Sequence, residues 1–101
     1  MSTEPAGGFV RRVAVPGRGE DFVVTVTIAA PVLHEEIGWR CGWVLEGGGR
    51  RRESYAEGSD ELQALLLAVR LVRMEAEHQL PRMGAAEGVS LDDQLDRKSV
   101  V

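Results

Sequence analysis

His34, Glu35 and Glu36 stand together, an imidazole beside two carboxylates, which are donor types that zinc takes. A zinc site wants three or four convergent ligands, and the second histidine, His78, is distant in the chain. Glu75 and His78 have the i, i+3 spacing of di-iron bundles, but those sites need two such pairs and further glutamates. Both groups therefore read as solvated charge, with His78 favouring a helix C-terminus through the dipole. Cys41 is the only cysteine. A nucleophilic thiolate needs a nearby base or positive field. Trp39 and Trp43 share its strand face, so Cys41 reads as a small buried hydrophobe. Asp60 is the best-placed carboxylate, and helix capping explains it; no Ser or His motif accompanies it to make a triad. No catalytic, metal or cofactor site is expected.

Gly47, Gly48 and Gly49 precede Arg50, Arg51 and Arg52. A phosphate-binding P-loop needs Gly-x-x-x-x-Gly-Lys-Ser/Thr leading into a helix. Here the glycines lead into a strand, and the Lys and Ser/Thr are missing. Arg11, Arg12, Arg40 and the triple run could still form one basic patch for RNA or an acidic partner. The plainer reading of the run is a solvated hairpin tip.

These residues need elements to position them. Residues 9–15 read as an edge strand that stops at Pro16 and Gly17. Residues 22–30 alternate cleanly, with Phe22, Val24, Val26 and Ile28 on one face. Pro31 lacks the N–H for further pairing, and residues 32–38 read as a loop. Residues 39–46 alternate again, with Trp39, Cys41, Trp43 and Leu45 on one side. The glycines allow a reversal with positive φ, and residues 50–57 return as a charged edge strand.

A helix follows. Asp60 caps it, and Gln63 completes an Asp-x-x-Gln capping box. Leu62, Leu65, Leu66, Val69, Val72 and Ala76 recur at helical spacing and are expected to meet the sheet. Leu67, Leu71 and Met74 form a second stripe, more apolar surface than one small sheet should cover. Pro81 is expected to end the helix at Leu80. The fold class is α+β: a two-layer sandwich of a four-stranded, meander-like antiparallel sheet and one long C-terminal helix. The division is a flexible lead-in over residues 1–8, one domain over 9–80 and a flexible acidic tail over 81–101. Within that tail Leu91 and Leu95 have the i, i+4 spacing of a short helix.

Length and charge narrow the function. The chain has 101 residues and a formal net charge of −4. Residues 1–58 carry 7 basic and 8 acidic groups, and residues 59–101 carry 5 and 8. Such acidity disfavours general nucleic-acid binding, because phosphate contacts need positive charge. A single cysteine fits a reducing compartment. The first residues lack the pattern of a signal peptide, and no apolar run suits a membrane span. A cytoplasmic protein without membrane contact is expected. A folded part near 70 residues buries roughly 60% of its unfolded surface and is marginal alone. Homodimerisation would relieve this.

Trp39-Arg40-Cys41-Gly42-Trp43, and the stretch from Gly58 to Ala68 with its Gly-x-Asp-x-x-Gln-Ala-Leu pattern, resemble a family of short uncharacterised bacterial proteins. The resemblance spans roughly Arg11 to Leu80 and implies a sheet-plus-helix domain with no assigned activity. The start of the helix is also similar to HicB-type antitoxins. The leading expectation is a non-enzymatic interaction module acting as a homodimer or with a small protein partner. The alternative is an antitoxin- or regulator-like module that binds a small toxin or RNA through its arginine-rich hairpin. The residues singled out for interaction are Arg40, Arg50, Arg51, Arg52, Leu67, Leu71 and Met74.

Overall fold

The computed structural model of the chain describes residues 8–92 and Gln94. Of the expected flexible lead-in over 1–8 and tail over 81–101, residues 1–7, 93 and 95–101 lie outside the described residues. Five strands and a long helix follow in order: β1 (Phe9–Val15), β2 (Phe22–Ile28), β3 (Val32–His34), β4 (Gly38–Gly47), β5 (Arg50–Gly58) and α1 (Glu61–Met83). All strand pairs are antiparallel.

The expected four-stranded meander is present, with one strand interrupted. β1 pairs with β2, β2 with β4, and β4 with β5 along its length. β3 was expected to be loop; instead it pairs with residues 38–40, on the edge of β4 whose other end β2 occupies. β2 and β3 therefore act as one broken strand. Ile28 faces Trp43 and Val32 faces Arg40, so three residues on one side oppose two on the other. That is a one-residue bulge, and it reverses which side chains face which layer. Pro31 sits in the bulge, where its missing N–H disrupts no ladder. Ala29 keeps the two parts attached by donating its N–H to the Gly42 carbonyl at 2.8 Å.

One face of the sheet is covered by α1, which packs mainly on β4 and β5. Val13, Val15, Val24, Val26, Cys41, Trp43, Leu45 and Ala56 are buried from the sheet side. From the helix come Ala64, Ala68, Val72, Ala76, Leu80 and Met83. The expected leucine face is thus corrected. Leu62 is 63% exposed and Leu66 is 58% exposed, while the buried line Ala64-Ala68-Val72-Ala76-Leu80 runs at strict i, i+4 spacing. Bulk comes from the sheet here, through Trp43 and Leu45. Facing layers pack at interior density when large side chains meet small ones. Alanines let the helix axis approach the tryptophan and leucine; leucines in their place would not fit.

Both helix ends are built as the residue types demand. Asp60 accepts a hydrogen bond from the Gln63 N–H at 2.7 Å. The Gln63 side chain reaches back to Ser59 rather than to the cap residue itself, accepting from its N–H and its hydroxyl. Pro81 does not end the helix, which continues to Met83. The ring removes one bond inside the last turn, and a glycine cap holds that turn together. Gly84 lies at φ 106°. Its N–H donates to the Pro81 carbonyl at 3.3 Å, and the Ala85 N–H donates to Leu80 at 3.0 Å. These are the two bonds of a Schellman motif.

Packing continues in the chain that follows α1. Arg18 N–H donates to the Gly84 carbonyl, and Ala86 N–H donates to Pro16, tying the chain after α1 to the β1–β2 turn. Leu91 is buried in the core. Arg73 donates to the Asp92 carboxylate from Nε at 2.9 Å and Nη2 at 2.8 Å. Those hydrogen bonds hold the Asp92 carboxyl below its ordinary value of 3.8. A lowered native pKa adds stability that is complete above the ordinary value and lost as pH falls through the native one. Asp92 should accordingly titrate below 3.8 by carboxyl-carbon NMR, and Arg73→Gln should move the midpoint up towards it. An unchanged midpoint in the variant would contradict the pairing.

Candidate functional site

The three hairpin arginines do not gather into one patch, although Arg51 shares a depression of the uncovered sheet face with Arg12. Alternation along β5 separates the triple run: antiparallel partners share a face, and Leu45 faces Arg52 while Glu46 faces Arg51. Arg52 therefore turns to the helix side and bonds Glu75 at 2.9 Å. Arg50 joins it there, donating to the Gln79 side-chain oxygen at 3.4 Å. Gln79 is buried, and it donates in turn to Glu75 at 3.2 Å. This chain of polar groups fastens the β4–β5 hairpin to α1. Arg51 lies on the uncovered face of the sheet, 3.3 Å from Glu46 and 2.9 Å from Glu53. The hydrogen bond it donates to Glu53 raises its pKa. Arg40 is on that uncovered face too. Its guanidinium lies 3.8 Å over the Tyr55 ring, and Glu57 is 4.0 Å away. Stacking on an aromatic face is the geometry arginine favours.

The other chemistry candidates also have defined places. Cys41 is fully buried between the layers, its Sγ donating to the Ala29 carbonyl at 3.1 Å. Burial pushes its thiol pKa up, the opposite of what a nucleophile needs. Glu75 faces the hairpin through Arg52, whereas His78 is exposed. His34 is an exposed residue of β3, and Glu35 and Glu36 form the turn after it. No group of three His, Cys, Asp or Glu side chains suited to a metal occurs among the described residues. No helix among them is long and apolar enough to cross a membrane. The glycine tip is more than a solvated turn. Gly48 and Gly49 both have positive φ, 55° and 77°, and Gly48 lies against the Met83 backbone.

What remains unused is the outward surface of α1. Met74 is 60% exposed and Leu71 38%, with Leu67 half-buried beside them. With Arg70 they line a groove of about 420 Å³ between α1 and the free edge strand β5, closed on the sheet side by Tyr55, Ala56 and Glu57. Leu62 and Leu66 line a second depression of about 370 Å³, together with Asp60, Gln63 and Arg70. Leu62 and Leu66 escaped the sequence reading as surface residues because leucine outranks alanine on any hydrophobicity scale. The i, i+4 series of mostly small residues, Ala64, Ala68, Val72 and Ala76, was the signal that could have placed them outside. The uncovered sheet face carries a larger, mixed depression of about 740 Å³, in which Thr25, Thr27, Gly42 and Val44 lie with Arg12, Arg51, Glu46 and Glu53.

Residues 9–84 match a family model described as a domain of unknown function, DUF6968. No curated protein and no solved structure matches the chain. The matched span runs from the first residue of β1 to the glycine that caps α1.

Proposed function

This chain belongs to that family of unknown function, and we propose that it is a non-catalytic interaction module that pairs with a second copy of itself through the groove between α1 and β5. The carrying observation is the strip of exposed Leu71 and Met74 with half-buried Leu67, on a helix whose sheet-facing side is already filled mostly by alanines. Removing one such side chain from water is worth roughly 1.5–3 kcal/mol, so leaving three partly wet is costly without a partner. The strip suits a second copy in particular. Two antiparallel α1 helices related by a two-fold axis near its middle can set Leu67 against the copy's Met74, with Leu71 close to the axis. The free edge of β5 beside the groove widens the contact towards the roughly 1,200 Å² that stable interfaces bury.

The hairpin arginines give less support to toxin or RNA binding. Arg50 and Arg52 are engaged with α1, and Arg51 lies between two glutamates. A phosphate would compete with those carboxylates.

Sedimentation equilibrium tests the proposal. The wild-type chain should dimerise in the micromolar range. Met74→Glu should weaken dimerisation about 100-fold or more, because it places a charge in a desolvated contact, while leaving the circular dichroism unchanged. A wild-type chain that stays strictly monomeric at high micromolar concentration would overturn it.

A further inference from the structure

We infer that the two copies also join edge to edge, β5 pairing antiparallel with the copy's β5 about a two-fold axis at Ser54, so that one sheet runs through the dimer with both α1 helices on the same side. This rests on the groove reading above and adds a strand register to it. Among the described residues β5 pairs only with β4, so its other edge is free. The groups on that edge follow from the turn. A two-residue hairpin loop closes on a hydrogen-bonded pair, here Gly47 and Arg50, and such pairs then alternate along the ladder. Arg50, Arg52, Ser54, Ala56 and Gly58 therefore direct their main-chain groups to β4. The Gly42 carbonyl fits this alternation, since it turns away from β5 to Ala29. Arg51, Glu53, Tyr55 and Glu57 turn their N–H and C=O groups to the open edge.

Symmetry and charge then select the register. A two-fold axis perpendicular to the sheet keeps each residue on its own face, and directly opposite residues share a face. The axis must therefore pass through a residue rather than between two. At Glu53 it would set that carboxylate against its own copy, and at Tyr55 it would set Glu53 against the copy's Glu57. At Arg52 it would oppose two guanidinium groups. At Ser54, the middle of Arg50–Gly58, the whole strand pairs. Arg51 then stands opposite the copy's Glu57, and Glu53 opposite the copy's Tyr55. Opposite charges across a strand pair stabilise it, and like charges do the reverse. The helix strip requires the same axis. Arg52 bonds Glu75, and Gly58 lies against the Ala64 backbone, so Ser54, a third of the way between, stands level with Leu71. Leu71 is the residue of the strip closest to the axis of the helix contact. The spacing agrees as well. α1 packs over β4 and β5, half a strand spacing inside β5, and the axis lies half a spacing outside it. Strands about 4.8 Å apart thus bring the two α1 axes to roughly 10 Å, the separation of packed helices.

Disulfide trapping in the full chain, at a concentration where sedimentation shows the dimer, tests the register. At the axis the Ser54 self-pair is a non-hydrogen-bonded one, which brings its two Cα atoms to about 4.5 Å, a separation that a disulfide spans. Arg50 shares the face of Ser54 but stands opposite the copy's Gly58, a whole strand length, roughly 26 Å, from the copy's Arg50. Both residues are exposed, so access does not separate them. Under mild oxidation Ser54→Cys should form a covalent dimer about tenfold or more faster than Arg50→Cys, with Cys41 buried in both. Equal rates, faster cross-linking of Arg50→Cys, or no cross-link at Ser54→Cys, in samples that sediment as dimers, would overturn the strand pairing and leave the groove reading standing. A wild-type chain that sediments as a monomer would overturn both.

Discussion

Ala68→Leu should destabilise the domain by about 3 kcal/mol, at the upper end of what overpacking a filled core costs. The leucine adds apolar surface and keeps helix propensity, so by composition it looks harmless. Its position decides the outcome. Ala68 is fully buried on the line that faces Trp43 and Leu45. Three extra carbons there must lift α1 off the sheet or force strained rotamers. For a domain this small the loss should lower the melting temperature by roughly 15 °C, read by circular dichroism. Met74→Ser, on the outward side, should change the stability of the dilute monomer by less than about 0.5 kcal/mol. The two results are expected in the reverse order of what side-chain hydrophobicity suggests.

Gly48→Ala carries the second large effect. Gly48 and Gly49 form the two-residue turn between β4 and β5, and positive φ at both is what such a hairpin turn requires. A Cβ in this conformation costs about 1–2 kcal/mol at either position. The positions differ in what surrounds them. A Cβ on Gly48 would run into the Met83 carbonyl oxygen, whereas one on Gly49 meets nothing. Met83 belongs to the capped last turn of α1, so the backbone there cannot yield without disturbing the Gly84 cap. Gly48→Ala should therefore cost about 3 kcal/mol and Gly49→Ala no more than the left-handed penalty alone. Urea denaturation of the two variants separates them. Equal losses would mean that the tip stands clear of the helix.

Much of this fold was legible because its strands alternate cleanly. β2 and β4 show period-two patterns of large apolar residues, and the glycines between β4 and β5 mark the reversal. The Asp60 cap was visible for the same reason: its side chain has one local task, and Gln63 stands at the right offset. β3 was not legible. Three residues show no period, and a proline before them reads as an end rather than as the centre of a bulge. Pro81 misled in a similar way. Its cost depends on how close the helix end lies, and Gly84 determined that. The orientation of α1 was the largest error, because which stripe faces inward depends on the size of side chains in the other layer. Leucine and alanine series both fit the helical period; Trp43 and Leu45 select the alanines. The excess apolar strip at Leu67, Leu71 and Met74 was anticipated. Its extension to Leu62 and Leu66 follows only from that orientation.

The dimer groove depends on which side α1 turns outward. Cysteine accessibility measures this directly. Ala68→Cys and Met74→Cys would each be reacted with a thiol reagent in the dilute native protein and again in urea, with buried Cys41 as the internal standard. Met74→Cys should react natively at close to its rate in urea. Ala68→Cys and Cys41 should react roughly 100-fold slower or more, since each must wait for an opening of the core. Fast native reaction at position 68 with protection at position 74 would contradict the packing, and the dimer groove with it.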